Sequence, residues 1–309
     1  MNVLVTGATG VVGRRLVPLL IGAGHRVSAI ARAPGKRESL ARIGATAVNA
    51  DLFAPDSLRR AVAGCDAVVN LATHMPATAA QMMRRNAWRE NDRVRRIGSA
   101  NLVDAALSEG VVRFVQESFA PVYPDCGDRW IEETMQLAPV RYNESVLDAE
   151  MAAAQFADAG GTGVVLRFAD FYGPDSRFLA EAIRQVRRGR APLPGSPGAF
   201  VSSVHHDDAA SAAAAALTLP SGAYNVVDDE PVSRREYFDS LAGALGVPRP
   251  KLPPPWAKWL LGPLGELLAR SQRISNRKIK GACAWKPAYP SVREGWPSVV
   301  AAIPQESAA

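Results

Sequence analysis

The sequence predicts an α/β protein: a doubly wound parallel sheet followed by a smaller C-terminal lobe. Three observations carry that expectation. A glycine-rich turn, "TGATGVVG", joins the first apolar run to the first helical pattern. Short β-branched runs then alternate with longer helical patterns, the order that makes a parallel sheet with helices on both faces. After Phe168 the alternation loosens into the Pro/Gly-rich stretches "GRAPLPGSPGAF" and "GVPRPKLPPPW".

Taken in order, residues 3–6, 26–30, 45–48, 67–70, 111–116 and 163–168 read as buried strands. Between them 11–22, 35–42, 55–62, a long segment 81–108, and 141–159 read as helices. Right-handed crossovers wind such a chain outward both ways and leave the ligand site at the carboxyl ends of the strands. A late strand at 223–227 and helices at 233–245 and 256–269 complete the pattern. The division expected is a nucleotide-binding domain at 1–168 and a substrate-binding lobe at 169–309, with about 199–217 returning to the first domain.

A chain of 309 residues, 48% of them hydrophobic, buries a substantial core. The net charge of +6, carried mostly by arginine, suits anionic ligands such as nucleotide phosphates. No nucleic-acid-binding motif stands out. Cys65, Cys126 and Cys283 lie far apart, so neither a disulfide framework nor a zinc site is expected. The first residues run straight into a strand pattern and no apolar run reaches ~18 residues. The expectation is a cytoplasmic protein with a small-molecule substrate, no metal, and no membrane or nucleic-acid partner.

Gly7, Gly10 and Gly13 allow a tight turn and close backbone approach to a pyrophosphate, which the helix N-terminus then holds. Ala31 ends the second strand where an acid would accept from the adenosine ribose, and Arg32 follows it. A guanidinium there grips a 2′-phosphate in two-point fashion, and Lys36 adds a second charge, so NADP(H) is the expected cofactor.

The spacing T-G-x-x-G-x-x-G, with "NADL", "VVNLATHMP", "RFADFYGP", "SSVHHDDAASA" and "AWKPAYPSVREGW", resembles the extended epimerase/dehydratase branch of the short-chain dehydrogenase/reductase superfamily. The resemblance runs along nearly the whole chain and implies a Rossmann-type domain. It implies cofactor contacts from Thr9, Val11 and Val12 beside the three glycines, from Asp51 and Leu52 at the adenine, and from Leu71, Ala72 and Thr73. Asn91 would stand behind the active site. Relatives often dimerise through the fourth and tyrosine-bearing helices, so a homodimer is possible, although "MMRRNAWRENDRVRR" is unusually basic for a buried helix pair.

The same resemblance makes Tyr142, in "RYNESVLDAE", the equivalent of the family's catalytic tyrosine and a contact of the cofactor. Glu150 fixes the register, so Val146 occupies the position of the family's lysine. An unassisted phenol near ~10 is ionised about one part in a thousand at neutral pH, which makes a poor base but a competent proton donor. The implied activity is therefore NADPH-dependent reduction of a carbonyl on a small metabolite. Ser118, one residue before the usual serine position now held by Phe119, would orient the oxygen. Glu117 reads either as an acid/base group or as a paired structural charge. Two alternatives stay open: a redox-neutral epimerase, isomerase or dehydratase working through Glu117, and a non-catalytic NADP-binding sensor or partner protein. Tyr123, Asp125, Cys126 and Trp130 are candidates for shaping the substrate pocket, and the basic segment 269–280 for meeting an anionic substrate.

Overall fold

The computed structural model describes residues 1–76, 79–176 and 178–303. Arg177 lies outside them. Seven parallel strands form the central sheet: β1 (Asn2–Thr6), β2 (Arg26–Ile30), β3 (Thr46–Val48), β4 (Ala67–Asn70), β5 (Arg113–Phe119) and, after the two-residue β6 (Trp130–Ile131), β7 (Thr162–Phe168). After β8 (Asp170–Tyr172), β9 (Phe200–Val201) and β10 (Ser203–His205) comes the last of the seven, β11 (Gly222–Val226); β12 (Val232–Ser233) and β13 (Arg273–Ile274) are short. The order β11-β7-β5-β4-β1-β2-β3 reverses direction beside β1, which opens a crevice above the carboxyl ends of β1 and β4.

Helices α1 (Gly13–Gly22), α2 (Pro34–Arg42) and α3 (Pro55–Val62) make the first crossovers. The next crossover runs through α4 (Ala79–Met82), a 3-10 turn Arg85–Trp88, α5 (Arg89–Arg93), a π turn Val94–Gly98 and α6 (Ser99–Ser108). Then follow α7 (Ser145–Asp158), α8 (Leu179–Arg187), α9 (His206–Ala215), α10 (Arg234–Ala244), α11 (Gly262–Ala269), α12 (Arg277–Ala282) and α13 (Val292–Ala301). One sheet face packs Val3, Val5, Val69, Val115 and Leu166 under α1 and α9; the other packs Leu4, Val68 and Phe114 under α3, α6 and α7. Strands covered on both faces are continuously apolar, which is why their runs were readable without alternation. A separate core joins Tyr172, α8, α10 and α13 in the second lobe.

Several elements differ from the expectation, each for a local reason. The 81–108 segment is not one helix: the π turn inserts an extra residue and rotates Arg95 inward to Glu117. Helix α7 begins at Ser145, so Tyr142 precedes the helix rather than opening it. There the Asn143 side chain accepts from Val140 N–H at 2.7 Å, a local bond that competes with helix. The 256–269 stretch breaks at Gly262, whose φ of 55° is a glycine conformation, leaving a 3-10 segment Pro255–Leu261 before α11. Helix α1 starts at Gly13 because Val11 and Val12 belong to the glycine turn.

Candidate functional site

The glycine turn is built by contact with the end of β4. Gly7 has φ +65°, and a Cβ there would stand 2.3 Å from the Leu71 carbonyl oxygen. A Cβ on Gly13 would stand 2.3 Å from Gly7 O and 2.6 Å from Ala8 Cα, so α1 lies directly on the turn. Gly10 is different: it is exposed, and a Cβ would meet only Gly7 O, at 3.1 Å. The turn closes with Gly10 N–H donating to Gly7 O at 2.9 Å. The N–H groups of Val11 and Val12 have no backbone acceptor among the described residues, as an anion-binding helix start requires. This is a cradle that fits a dinucleotide pyrophosphate. Thr9 is half-buried at its rim.

A polar ladder braces the strand ends beneath it. Thr6 donates to Asn70 Oδ1, Asn70 Nδ2 donates to Gln116 Oε1 at 2.8 Å and Ser99 Oγ at 3.2 Å, and Gln116 Nε2 reaches Glu117 O at 2.8 Å. Asn91 is fully buried and its Oδ1 accepts from His74 N–H at 2.9 Å, so it fixes the loop that follows Leu71, Ala72 and Thr73. At the adenosine end, Arg32 and Asp51 meet at 3.3 Å, with side chains 68% and 42% exposed. Asp51 also accepts from Phe53 N–H at 3.0 Å, Leu52 packs against Gly98, and Lys36 is exposed on α2.

Tyr142 is 8% exposed, in an apolar cluster with Trp88 and Leu264 against which Met82, Val140 and Leu268 pack. The Trp88 and Tyr142 rings lie 5.7 Å apart, and the Arg141 guanidinium stands 5.8 Å from the Tyr142 ring centroid. The phenolic hydroxyl makes no hydrogen bond among the described residues. Val146 is completely buried, in the first turn of α7.

Ser118 and Glu117 are not brought to the phenol by any hydrogen bond. Ser118 is buried and donates to Glu150, which Arg167 grips at both oxygens. Arg167 continues to the Tyr123 hydroxyl at 2.8 Å, which donates to Asn225 Oδ1 at 2.8 Å. The Glu150 carboxylate and Tyr123 hold the Arg167 guanidinium above its ordinary value despite burial. Burial pushes the Tyr123 phenol up to about 12. Arg167 is thus committed to Glu150 and Tyr123, and among the described residues Arg141 stands beside the Tyr142 ring. Glu117 pairs with Arg95 at 2.8 Å, both nearly buried, which favours the paired structural charge of its two readings.

The loop after β5 lines clefts as well as serving structure: Asp125 and Gly127 line one together with Lys258 and Ser271, and Trp130 lines another with Met135. Tyr123 is fully buried, Asp125 accepts from Gly127 N–H within its own turn, and Cys126 N–H donates to Ser271 O. Trp130 lies under Arg273, whose guanidinium is 4.2 Å from the ring centroid. Three cations of the basic 269–280 segment are engaged within the fold. Arg270 donates to the carbonyls of Tyr123 and Ala138 at 2.8 Å each, Lys278 to Ala223 O at 2.7 Å, and Lys280 pairs with Asp229 at 2.7 Å. At the start of α9 His205 caps, its Nδ1 accepting from Asp207 N–H at 3.2 Å. Asp208 instead accepts from Ala288 and Tyr289 N–H, pinning the C-terminal segment.

Sequence reasoning missed Trp88, Leu264 and Leu268 around the tyrosine, and Asp170. The Asp170 carboxyl, just beyond β7, is pushed up to about 6 by burial, which the nearby Arg234 partly opposes. Its signal was an acid immediately after a buried strand. Among the described residues there is no group of side chains that could hold a metal ion, and no helix is long and apolar enough to cross a membrane.

Known proteins resemble this chain along its length. The model of the NAD dependent epimerase/dehydratase family matches residues 3–226. The chain is 32% identical over 307 residues to the 3-diazoavenalumate denitrifying reductase of a Streptomyces species, covering 96% of this chain and 99% of that protein. It is 30% identical to the 2-alkyl-3-oxoalkanoate reductase of Stenotrophomonas maltophilia, over 81% of this chain and 77% of that one. Among solved structures, Thermus thermophilus UDP-glucose 4-epimerase in complex with NAD superposes with a TM-score of 0.78 at 26% identity, covering 97% and 98% of the two chains. The human epimerase family protein SDR39U1 with NADPH reaches 0.79 at 19% identity, covering 98% of this chain and 100% of that one, a likeness of fold. The chain is an oxidoreductase-type enzyme and belongs to the NAD dependent epimerase/dehydratase family.

Proposed function

We propose that this enzyme reduces the carbonyl of a small metabolite with NADPH, Tyr142 delivering the proton to the oxygen. The observation that carries the reading is the state of that phenol. It is nearly buried among apolar side chains, its hydroxyl has no partner among the described residues, and no lysine adjoins it. A neutral phenol so placed is a donor awaiting an acceptor, which is what an oxygen gaining negative charge supplies. Bound NADPH supplies the hydride, which adds to the carbonyl carbon with its electron pair. The Tyr142 proton completes the alcohol, and the phenolate then regains a proton from solvent. The Arg141 guanidinium stabilises that phenolate while it lasts.

Preference for the phosphorylated cofactor rests on Arg32 and Lys36 with no acid at Ala31. The Arg32–Asp51 pair is exposed and worth only about 0–1 kcal/mol, so a phosphate dianion displaces Asp51 readily. The reductase names of two relatives support the reductive direction. The redox-neutral route through Glu117 loses support, because Arg95 already engages that carboxylate. The test is Tyr142→Phe, assayed by NADPH oxidation against a panel of ketones. The expected result is loss of turnover by about 10²–10⁴-fold with NADPH affinity retained; an unchanged rate removes Tyr142 from the chemistry.

A further inference from the structure

We propose that the substrate is an apolar ketone, its carbonyl flanked by an aryl or long alkyl group, and not a nucleotide diphosphate conjugate. This rests on Tyr142 being the reacting phenol. An apolar cluster holds that ring, with Arg141 beside it: Trp88 and Leu264 are buried with it, and Met82, Val140 and Leu268 close around them. A molecule whose oxygen reaches the hydroxyl takes the place of some of those contacts. Only an apolar flank restores the burial they give up; a sugar ring would leave hydroxyls against Trp88 and Leu264 without partners.

The surroundings agree at both ends. A diphosphate needs uncommitted cations, and three cations of the basic segment, Arg270, Lys278 and Lys280, are already engaged. Arg270 is spent on two carbonyls, Lys278 on a third, Lys280 on Asp229, and Arg273 lies against the rings of Trp130 and Phe200 at 4.2 and 4.8 Å. Arg234, fully buried on α10, faces Asp170 and donates to Leu268 O at 2.9 Å. On the apolar side, the Pro255–Leu261 segment that feeds into α11 exposes Trp256, Trp259 and Leu260 by 61%, 72% and 72%. These three lie in the segment that leads directly into α11, which carries Leu264 and Leu268.

The test is equilibrium binding in the presence of saturating NADP⁺, where no turnover occurs. Acetophenone, butyrophenone and octanophenone are titrated by tryptophan fluorescence, with UDP titrated alongside. Affinity should rise by about fourfold per added methylene, and UDP should give no saturable signal. Leu268→Ser should weaken octanophenone by about tenfold or more and leave NADP⁺ affinity unchanged, which also shows that the variant is folded. Leu268→Met should recover most of the loss. Saturable UDP binding, affinity independent of chain length, or an indifferent Leu268→Ser would each overturn the assignment. Tyr142→Phe should still bind octanophenone, so failure of the catalytic reading and failure of the substrate class give different results.

Discussion

Glu150 and Arg167 meet in a two-point ion pair, Nε to Oε1 at 2.9 Å and Nη2 to Oε2 at 2.7 Å, and Ser118 donates its hydroxyl to the same Oε1. The pair joins α7 to β7 and β5 with side chains 13% and 7% exposed. Removing one charge leaves the other buried alone. Glu150→Gln should therefore lower the unfolding free energy by about 3 kcal/mol, read as a shifted urea midpoint at constant slope. A loss below about 1 kcal/mol would show that water reaches the guanidinium.

Arg32 gives a second prediction, on cofactor choice. Replacing it with alanine removes a charge-assisted contact to the 2′-phosphate, worth about 1.5–3 kcal/mol. NADPH affinity should fall by roughly ten- to a hundredfold while NADH affinity stays within about twofold. Equal losses for both cofactors would assign Arg32 to holding Asp51 instead.

The chain's response to acid follows from His206 and Asp170. Burial, with Arg15 adding to it, pushes His206 down to about 4 from an ordinary value near ~6.5. Between those limits the unfolded chain holds a proton that the folded chain does not. Its contribution to stability is whole above pH ~6.5 and is lost as pH falls toward 4. Asp170, pushed up to about 6, works the other way: its contribution is whole below pH ~4 and is lost as pH rises through 6. Urea unfolding from pH 7 to 4 should show a shallower acid loss in His206→Gln and a steeper one in Asp170→Asn. Two superimposable profiles would mean that neither group titrates in this window.

Gly7 offers the simplest steric test. Gly7→Ala puts a Cβ 2.3 Å from the Leu71 carbonyl oxygen at a φ of +65°. The strand ends must separate, so cofactor affinity should fall by more than tenfold, with a stability loss of about 2 kcal/mol. Gly10→Ala, whose Cβ meets only Gly7 O at 3.1 Å and without a positive φ, should cost less stability than Gly7→Ala while still lowering cofactor affinity.

What could be read from the sequence was what adjacent residues decide. Gly7, Gly10 and Gly13, the missing acid at Ala31 and the alternation of strand and helix all lie within a turn or two of one another. The Rossmann-type sheet followed from them. Contacts set by strand register were invisible. Thr6 and Asn70 are 64 positions apart and Asn70 and Gln116 46 apart, yet neighbouring strands set them side by side. Nothing near Tyr142 announced Trp88 or Leu264, which arrive from another crossover and from the second lobe. The same reason hid Arg95 behind Glu117: it faces inward only because a π turn adds one residue.

The floor and the roof of this site are made of different materials. The floor, from Thr6 through Asn70 to Gln116, is a chain of directional bonds between strand ends, and a change to any member leaves a buried group stranded. The roof of Trp88, Leu264 and Leu268 touches Tyr142 through contacts without direction, which a side chain of similar bulk can renew. If Tyr142 is the reacting phenol, as proposed, drift in the roof would alter which ketone is admitted while the floor stays still. A lineage carrying this architecture is free to change its diet without relearning its redox chemistry.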